Sequence, residues 1–132
     1  PLAARTGDNM PATRNFKTAY VDCALWSSTD FADESGGEPL DKNYDVRDID
    51  DASLSVMGED CDDFVAFCER EGINLSVGDD EQNGHDFWLT RNHHGAGFWD
   101  RGYANGDALT KAAHSFGSVD LYVGDDRKIH HA

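Results

Sequence analysis

Histidine, aspartate and arginine are concentrated in residues 84–102 (GHDFWLTRNHHGAGFWDRG) of a chain that is otherwise strongly acidic. Imidazole and carboxylate groups bind first-row transition metals, and a guanidinium can pair with a carboxylate or orient it. One hypothesis is therefore a small metal-binding protein or enzyme centred on this segment. The side chains that could carry this chemistry are His85, Asp86, Arg91, His94, Asp100 and Arg101.

The spacing of these residues does not favour a metal site. It matches neither HExxH nor a closed Cys/His site. On an extended hairpin His85 would lie roughly 20 Å from His93 and His94, at ~3.3 Å per residue. We therefore expect no metal and no other cofactor, assign no catalytic residue, and favour a binding function over an enzymatic one.

The acidic surface is the second candidate. The 132 residues include 26 acidic and 11 basic side chains, which give a formal net charge of −15 at pH 7. This charge disfavours direct binding to nucleic-acid phosphates or to an anionic membrane. It suits a solvated surface, a surface that competes with DNA for a basic cleft, or a set of metal ligands. The residues predicted to form a partner-binding surface are Glu59, Asp62, Asp63, Glu69, Asp30, Asp33 and Glu34.

Four of these carboxylates belong to the clearest helix in the sequence, predicted from residue 50 or 51 to 71. Asp50 or Asp51 would cap its start, Gly72 would end it, and Gly58 is the position that could divide it. One apolar stripe repeats along it at helical spacing and contains Met57, Cys61, Phe64, Val65 and Cys68. The acidic residues would face the opposite side.

The histidine-containing segment is predicted to be a β-hairpin. Residues 85–92 and 96–102 are rich in aromatic side chains and are separated by His93, His94 and Gly95, so that Asp86 would lie opposite Arg101. Further helices are predicted at 15–27 and 107–116, a strand at 119–123, a last short strand or tail at 127–131, and a long acidic loop at 28–47.

These elements predict one α+β domain over residues 10–132. A small antiparallel sheet with the aromatic hairpin at its centre would pack against two or three helices. Residues 1–9 show no periodicity and precede Met10, so we expect a disordered or vector-derived leader there. The three cysteines, without a CxxC pair, are expected to be small buried hydrophobic residues.

The chain also resembles a family of small acidic proteins from tailed bacteriophages and prophages, a family with no assigned activity. The resemblance lies in residues 85–92 (HDFWLTRN), 94–102 (HGAGFWDRG) and 120–126 (DLYVGDD), with ALWSSTD at 24–30 and GGEPLD at 36–41. His93 stands where the family pattern has glycine, whereas His94 fits it. The resemblance implies a phage setting and supplies no catalytic residues.

The sequence thus predicts a phage-encoded acidic protein that acts in the host cytoplasm. It would bind a host protein with a basic surface, as a nucleic-acid mimic that inhibits a DNA-acting or defence factor. The alternative is the small metal-binding protein or enzyme. No direct nucleic-acid or membrane partner is expected, and the sequence does not specify the oligomeric state.

Overall fold

A computed structural model describes residues 11–30, 37–94 and 96–132. Its helices are α1 (Arg14–Ser27), α2 (Asp51–Arg70), α3 (Asp80–Arg91) and α4 (Gly106–His114). Two short antiparallel sheets pair β1 (Thr29–Asp30) with β2 (Glu38–Pro39), and β3 (Leu121–Val123) with β4 (Ile129–His131). The α+β class is confirmed. The predicted leader at 1–9 lies outside the described residues.

Side-chain caps determine where the first three helices begin. Thr13, Asp50 and Asp79 each accept a hydrogen bond from a backbone N–H of the first turn of α1, α2 and α3. Such a cap satisfies a donor that has no partner within the helix. Helix α2 runs through Gly58 without a break and ends beside Gly72, whose φ of +71° is easily adopted by glycine. None of the helices in the described part of the chain is long and apolar enough to span a membrane.

The predicted aromatic β-hairpin is wrong, because most of its first strand belongs to α3. The second predicted strand contains a 3-10 turn at Phe98–Asp100. Helix α3 is buried on nearly all sides from residue 83 to 91, His85 being the half-exposed exception. A helix without a broad solvent-facing side lacks the 3.6-residue periodicity of polar and apolar residues that identifies a helix in a sequence. The aromatic residues of this segment also favour strands by propensity.

An aromatic cluster forms the centre of the core. The ring of Phe64 from α2 stacks on Phe87 from α3, with centroids 4.1 Å apart and planes 12° apart. Tyr20 from α1 lies 5.2 Å from Phe87, and the edge of Phe116 meets the same ring at 5.4 Å. Phe87 is therefore the residue around which α1, α2 and the segment after α4 pack.

Helices α1 and α3 are in close backbone contact at Gly84. A Cβ atom at this position would collide with the carbonyl oxygen of Phe16, so only glycine allows the approach. Further along the pair, the indole N–H of Trp88 donates to Ser27 Oγ at 2.8 Å. These contacts fix the relative position of the two helices and of the surface cleft between them.

Strands β3 and β4 close the fold against the start of α2; β3 falls within a predicted strand, and β4 falls where a strand or tail was predicted. The backbone N–H of Asp50 donates to the carbonyl of Ile129 at 2.8 Å. The backbone N–H of His131 donates to Ser53 Oγ at 3.0 Å. Strand β4 is thus anchored to the helix that carries the largest share of the predicted partner-binding acids.

Candidate functional site

Arg91, predicted as part of the hairpin site, is a core residue. Its guanidinium is buried and lies over the ring of Phe87, with Cζ 5.3 Å from the centroid. Its hydrogen bonds run to the carbonyls of Gly117 and Phe116 (both 2.8 Å), to Tyr20 Oη (2.9 Å) and to Asp60 Oδ2 (2.7 Å). The side chain cross-links α1, α2, α3 and the segment after α4, so its donors are used within the fold.

Three other predicted residues do come together. Arg101 donates to both oxygens of the fully buried Asp86, from Nε at 2.9 Å and from Nη2 at 2.7 Å. With its amide oxygen turned towards the guanidinium, Gln82 also accepts from Arg101 at 2.9 and 3.0 Å. His85 Nδ1 lies 3.7 Å from Asp86 Oδ1, which is too long for a hydrogen bond.

The remaining members of the predicted hairpin site lie elsewhere. His94 is exposed and borders a different groove, together with Ser27 and Tyr122. Asp100 is exposed at the end of the 3-10 turn. Among residues 11–30, 37–94 and 96–132, no three His, Cys, Asp or Glu side chains are grouped so that they could hold a metal ion. The six predicted residues therefore do not form one site.

His85 and Arg101 instead line a surface cleft of about 440 Å³ between α1 and α3. Its other walls include Asp22, Cys23, Trp26, Asp79, Glu81 and Gln82. The volume lies within the range of roughly 300–1,000 Å³ that is typical of ligand pockets. We call this feature the α1–α3 cleft.

Each helix contributes a carboxylate and an aromatic ring to the cleft at the same spacing. Asp22 precedes Trp26 by four residues on α1, and Glu81 precedes His85 by four residues on α3. Side chains at this spacing are neighbours on a helix surface. The Trp26 and His85 rings meet at a centroid distance of 5.7 Å and an angle of 30°, although 46% of Trp26 remains exposed.

The cleft carries an excess of negative charge. Asp22, Asp79 and Glu81 are exposed carboxylates, whereas the positive charge of Arg101 is balanced by Asp86 beneath it. A cationic group is therefore attracted to the opening, and a phosphate or carboxylate is repelled.

Cys23 lies in the wall of the cleft but is not a nucleophile at neutral pH. Burial raises the pKa of its thiol to about 12, and the charge of Asp86 acts in the same direction. The protonated thiol is a poor nucleophile. All three cysteines are buried and free, as predicted.

The acidic residues predicted on α2 do not form one continuous surface. Asp62 is buried and accepts from the backbone N–H of Ala12 and from Lys17 Nζ, both at 3.1 Å. This carboxylate fastens the start of α1 to α2 and is not available to a partner. Spacing along α2 could not reveal this, because α1 covers that flank only in the folded chain.

The other predicted acids are divided between several places. Glu59, Asp63 and Glu69 are exposed, but Asp63 and Glu69 border two different grooves on α2. Asp30 belongs to β1, whereas Asp33 and Glu34 lie outside the described residues.

Sequence reasoning missed Trp26 and Asp22 as site residues. The usable signal was the acid followed four residues later by an aromatic ring, which occurs in both helices that line the cleft. In comparisons with family models, with curated proteins and with solved structures, nothing matches this chain.

Proposed function

We propose that this protein is a non-catalytic acidic binding protein, and that its α1–α3 cleft engages a basic site on another protein. The observation that carries the proposal is the exposed Trp26 beside the carboxylates of Asp22, Asp79 and Glu81. A large aromatic side chain within a polar rim is the arrangement in which binding hot spots are most often found.

The net charge of −15 supports a basic partner. Such a charge accelerates encounter with a positively charged surface and opposes encounter with nucleic acid. At the cleft the same preference acts at short range, because the exposed carboxylates are not matched by a free cation among the residues that line it.

The resemblance to phage proteins makes a host protein the expected partner, and a DNA-acting or defence factor with a basic cleft is the expected target for inhibition. A mimic of a DNA strand requires a regular row of free carboxylates. On α2 that row is interrupted, because Asp60 binds Arg91 and Asp62 binds Lys17. The α1–α3 cleft is therefore favoured over the α2 surface as the place of contact.

The alternative, a small metal-binding protein or enzyme at the histidine-rich segment, has less support. Both oxygens of Asp86 already accept hydrogen bonds from Arg101, and the donors of Arg91 serve the core. Of the six residues predicted for that site, only His85 and Arg101 line the cleft.

The test is quantitative affinity capture from bacterial host lysate with the wild type, Trp26→Ala and Trp99→Ala. Trp99 is the matched control because it is also an exposed tryptophan (52%) and does not line the cleft. We expect the wild type and Trp99→Ala to retain a basic protein that Trp26→Ala loses. Raising the salt from ~0.05 to ~0.3 M should release it, because screening weakens exposed charge contacts.

The proposal is contradicted if the wild type and Trp26→Ala capture the same proteins in the same amounts, or if neither captures a basic protein. It is also contradicted if the captured protein stays bound as the salt concentration rises, because the carboxylates would then not contribute to binding.

A further inference from the structure

We propose that the α1–α3 cleft recognises one arginine side chain of the partner. Its guanidinium would stack on the exposed face of Trp26 and pair with the carboxylates of Asp22 and Glu81. This inference rests on the proposed function and names the chemical group that the cleft accepts.

The chemistry of the walls favours arginine over other cations. A guanidinium is planar, stacks on aromatic faces and presents parallel N–H donors that match a carboxylate. The cleft offers both partners on the same side, since Asp22 and Trp26 lie one turn apart on α1. A lysine ammonium is more strongly hydrated and cannot stack, so it gains less from Trp26.

The core of this protein already holds a guanidinium in the same way. Arg91 lies over the ring of Phe87 at 5.3 Å while it donates to Asp60 at 2.7 Å. The cleft repeats this combination of an aromatic face and a carboxylate, but with Trp26 exposed and with no arginine of the described chain stacked on it. The kinds of group that satisfy an internal arginine are thus also present in the cleft.

The size and the charge of the cleft fit a single side chain. A volume of about 440 Å³ accommodates an extended side chain with adjacent peptide atoms. Arg101 does not oppose the guest, because its guanidinium is held by both oxygens of Asp86. Asp79 adds a third exposed carboxylate at the edge.

The test is an NMR titration of the full chain with the blocked tripeptide acetyl-Gly-Arg-Gly-amide. The matched controls are the same peptide with citrulline, which keeps the shape of arginine without its charge, and with lysine. The indole N–H signal of Trp26, identified by its loss in Trp26→Ala, reports directly on the cleft.

We expect the arginine peptide to shift the Trp26 signal with a dissociation constant in the millimolar range. Citrulline should bind at least ~10-fold and lysine ~3-fold more weakly, because charge and stacking each contribute modestly at an exposed site. Backbone signals of the cleft should still respond in the Trp26→Ala and Asp22→Asn variants, but with affinity reduced ~10-fold and ~3-fold. Trp99→Ala and Glu59→Gln, which change residues outside the cleft, should bind as the wild type does.

The inference is overturned if citrulline binds as well as arginine, or if the shifts occur on α2 and not around Trp26. Its failure is distinguishable from failure of the proposed function. If the tripeptide does not bind but capture of a basic protein still depends on Trp26, the binding function stands and the arginine pocket is wrong. If the tripeptide binds but no partner is captured, the pocket stands and the protein-binding function is wrong.

Discussion

Two arginine–aspartate pairs in this molecule have opposite patterns of burial, because the arginine is buried in one and the aspartate in the other. In the first, Arg91 is 2% exposed and its partner Asp60 is 23% exposed. In the second, Asp86 is fully buried and its partner Arg101 is 28% exposed. The N···O distance is 2.7 Å in both. The pairs therefore differ in which of the two charged side chains is shielded from solvent.

This difference decides what each pair does. A buried guanidinium needs acceptors for its N–H groups. Arg91 therefore donates to a tyrosine hydroxyl and two backbone carbonyls in addition to Asp60, and these bonds cross-link the core. A buried carboxylate is satisfied by one bidentate arginine. Arg101 can therefore hold Asp86 and still form part of the surface of the α1–α3 cleft.

The largest effect is expected from Arg91→Ala. The substitution leaves Asp60, Tyr20 and two carbonyls without their donor, and breaking a buried pair from one side typically costs about 3–5 kcal/mol. Denaturant unfolding measures the loss. Arg91→Lys is the matched control, because it keeps the charge but has too few donors for all four acceptors, and it should be intermediate. A loss below ~1 kcal/mol for Arg91→Ala would show that the cross-link does not stabilise the core.

A smaller effect is expected at the second pair. Arg101→Ala should lower the free energy of unfolding by about 1–3 kcal/mol, because it leaves the carboxylate of Asp86 buried and unpaired while water can reach the vacated side. Adding Asp86→Asn should recover part of this loss, since the buried charge is then removed. A double-mutant cycle measures the coupling, and strictly additive losses would contradict the bidentate pair.

The pH dependence of stability is expected to report on the surroundings of the first pair. Burial lowers the pKa of His131, the positive charge of Arg91 adds to this, and Asp60 opposes it. Its Nε2 is buried without a hydrogen-bond partner. His131 therefore takes up a proton at a higher pH in the unfolded chain than in the folded chain. Its contribution to the free energy of unfolding decreases as the pH falls through the ordinary histidine range.

The measurement is the denaturation midpoint between pH ~7.5 and ~5.5, a window that spans the ordinary histidine pKa and avoids most carboxylate titration. His131→Gln should flatten the slope of the midpoint against pH. An unchanged slope in this variant would mean that other groups produce the pH dependence.

The smallest effect on stability is expected from Trp26→Ala. Nearly half of Trp26 is exposed and its ring contact is with the half-exposed His85, so the free energy of unfolding should change by ~1 kcal/mol or less. Trp99→Ala is the control in the same unfolding measurement. A loss above ~2 kcal/mol at Trp26 would identify it as a structural residue and remove the support for the binding site.

The elements that sequence patterns predicted are those with one solvated side. Helix α2 shows its apolar stripe from Met57 to Cys68 because its other face is exposed, and Asp50 marks its start. The predicted pairing of Asp86 with Arg101 was also right, but for the wrong reason. The two residues meet between a helix and the loop after a 3-10 turn, and not across a hairpin.

The sequence by itself determined the α+β class, the helices α1, α2 and α4, the strand β3 and the strongly negative charge, because each is a local or compositional property. Only the tertiary structure decided that residues 80–91 are helical, that Arg91 and Asp62 are interior, and that Trp26 faces His85. These outcomes depend on partners far along the chain: Arg91 bonds to Tyr20 across 71 positions, and Asp62 bonds to Lys17 across 45. Local periodicity contains no information about such partners, since they become neighbours only when the helices pack.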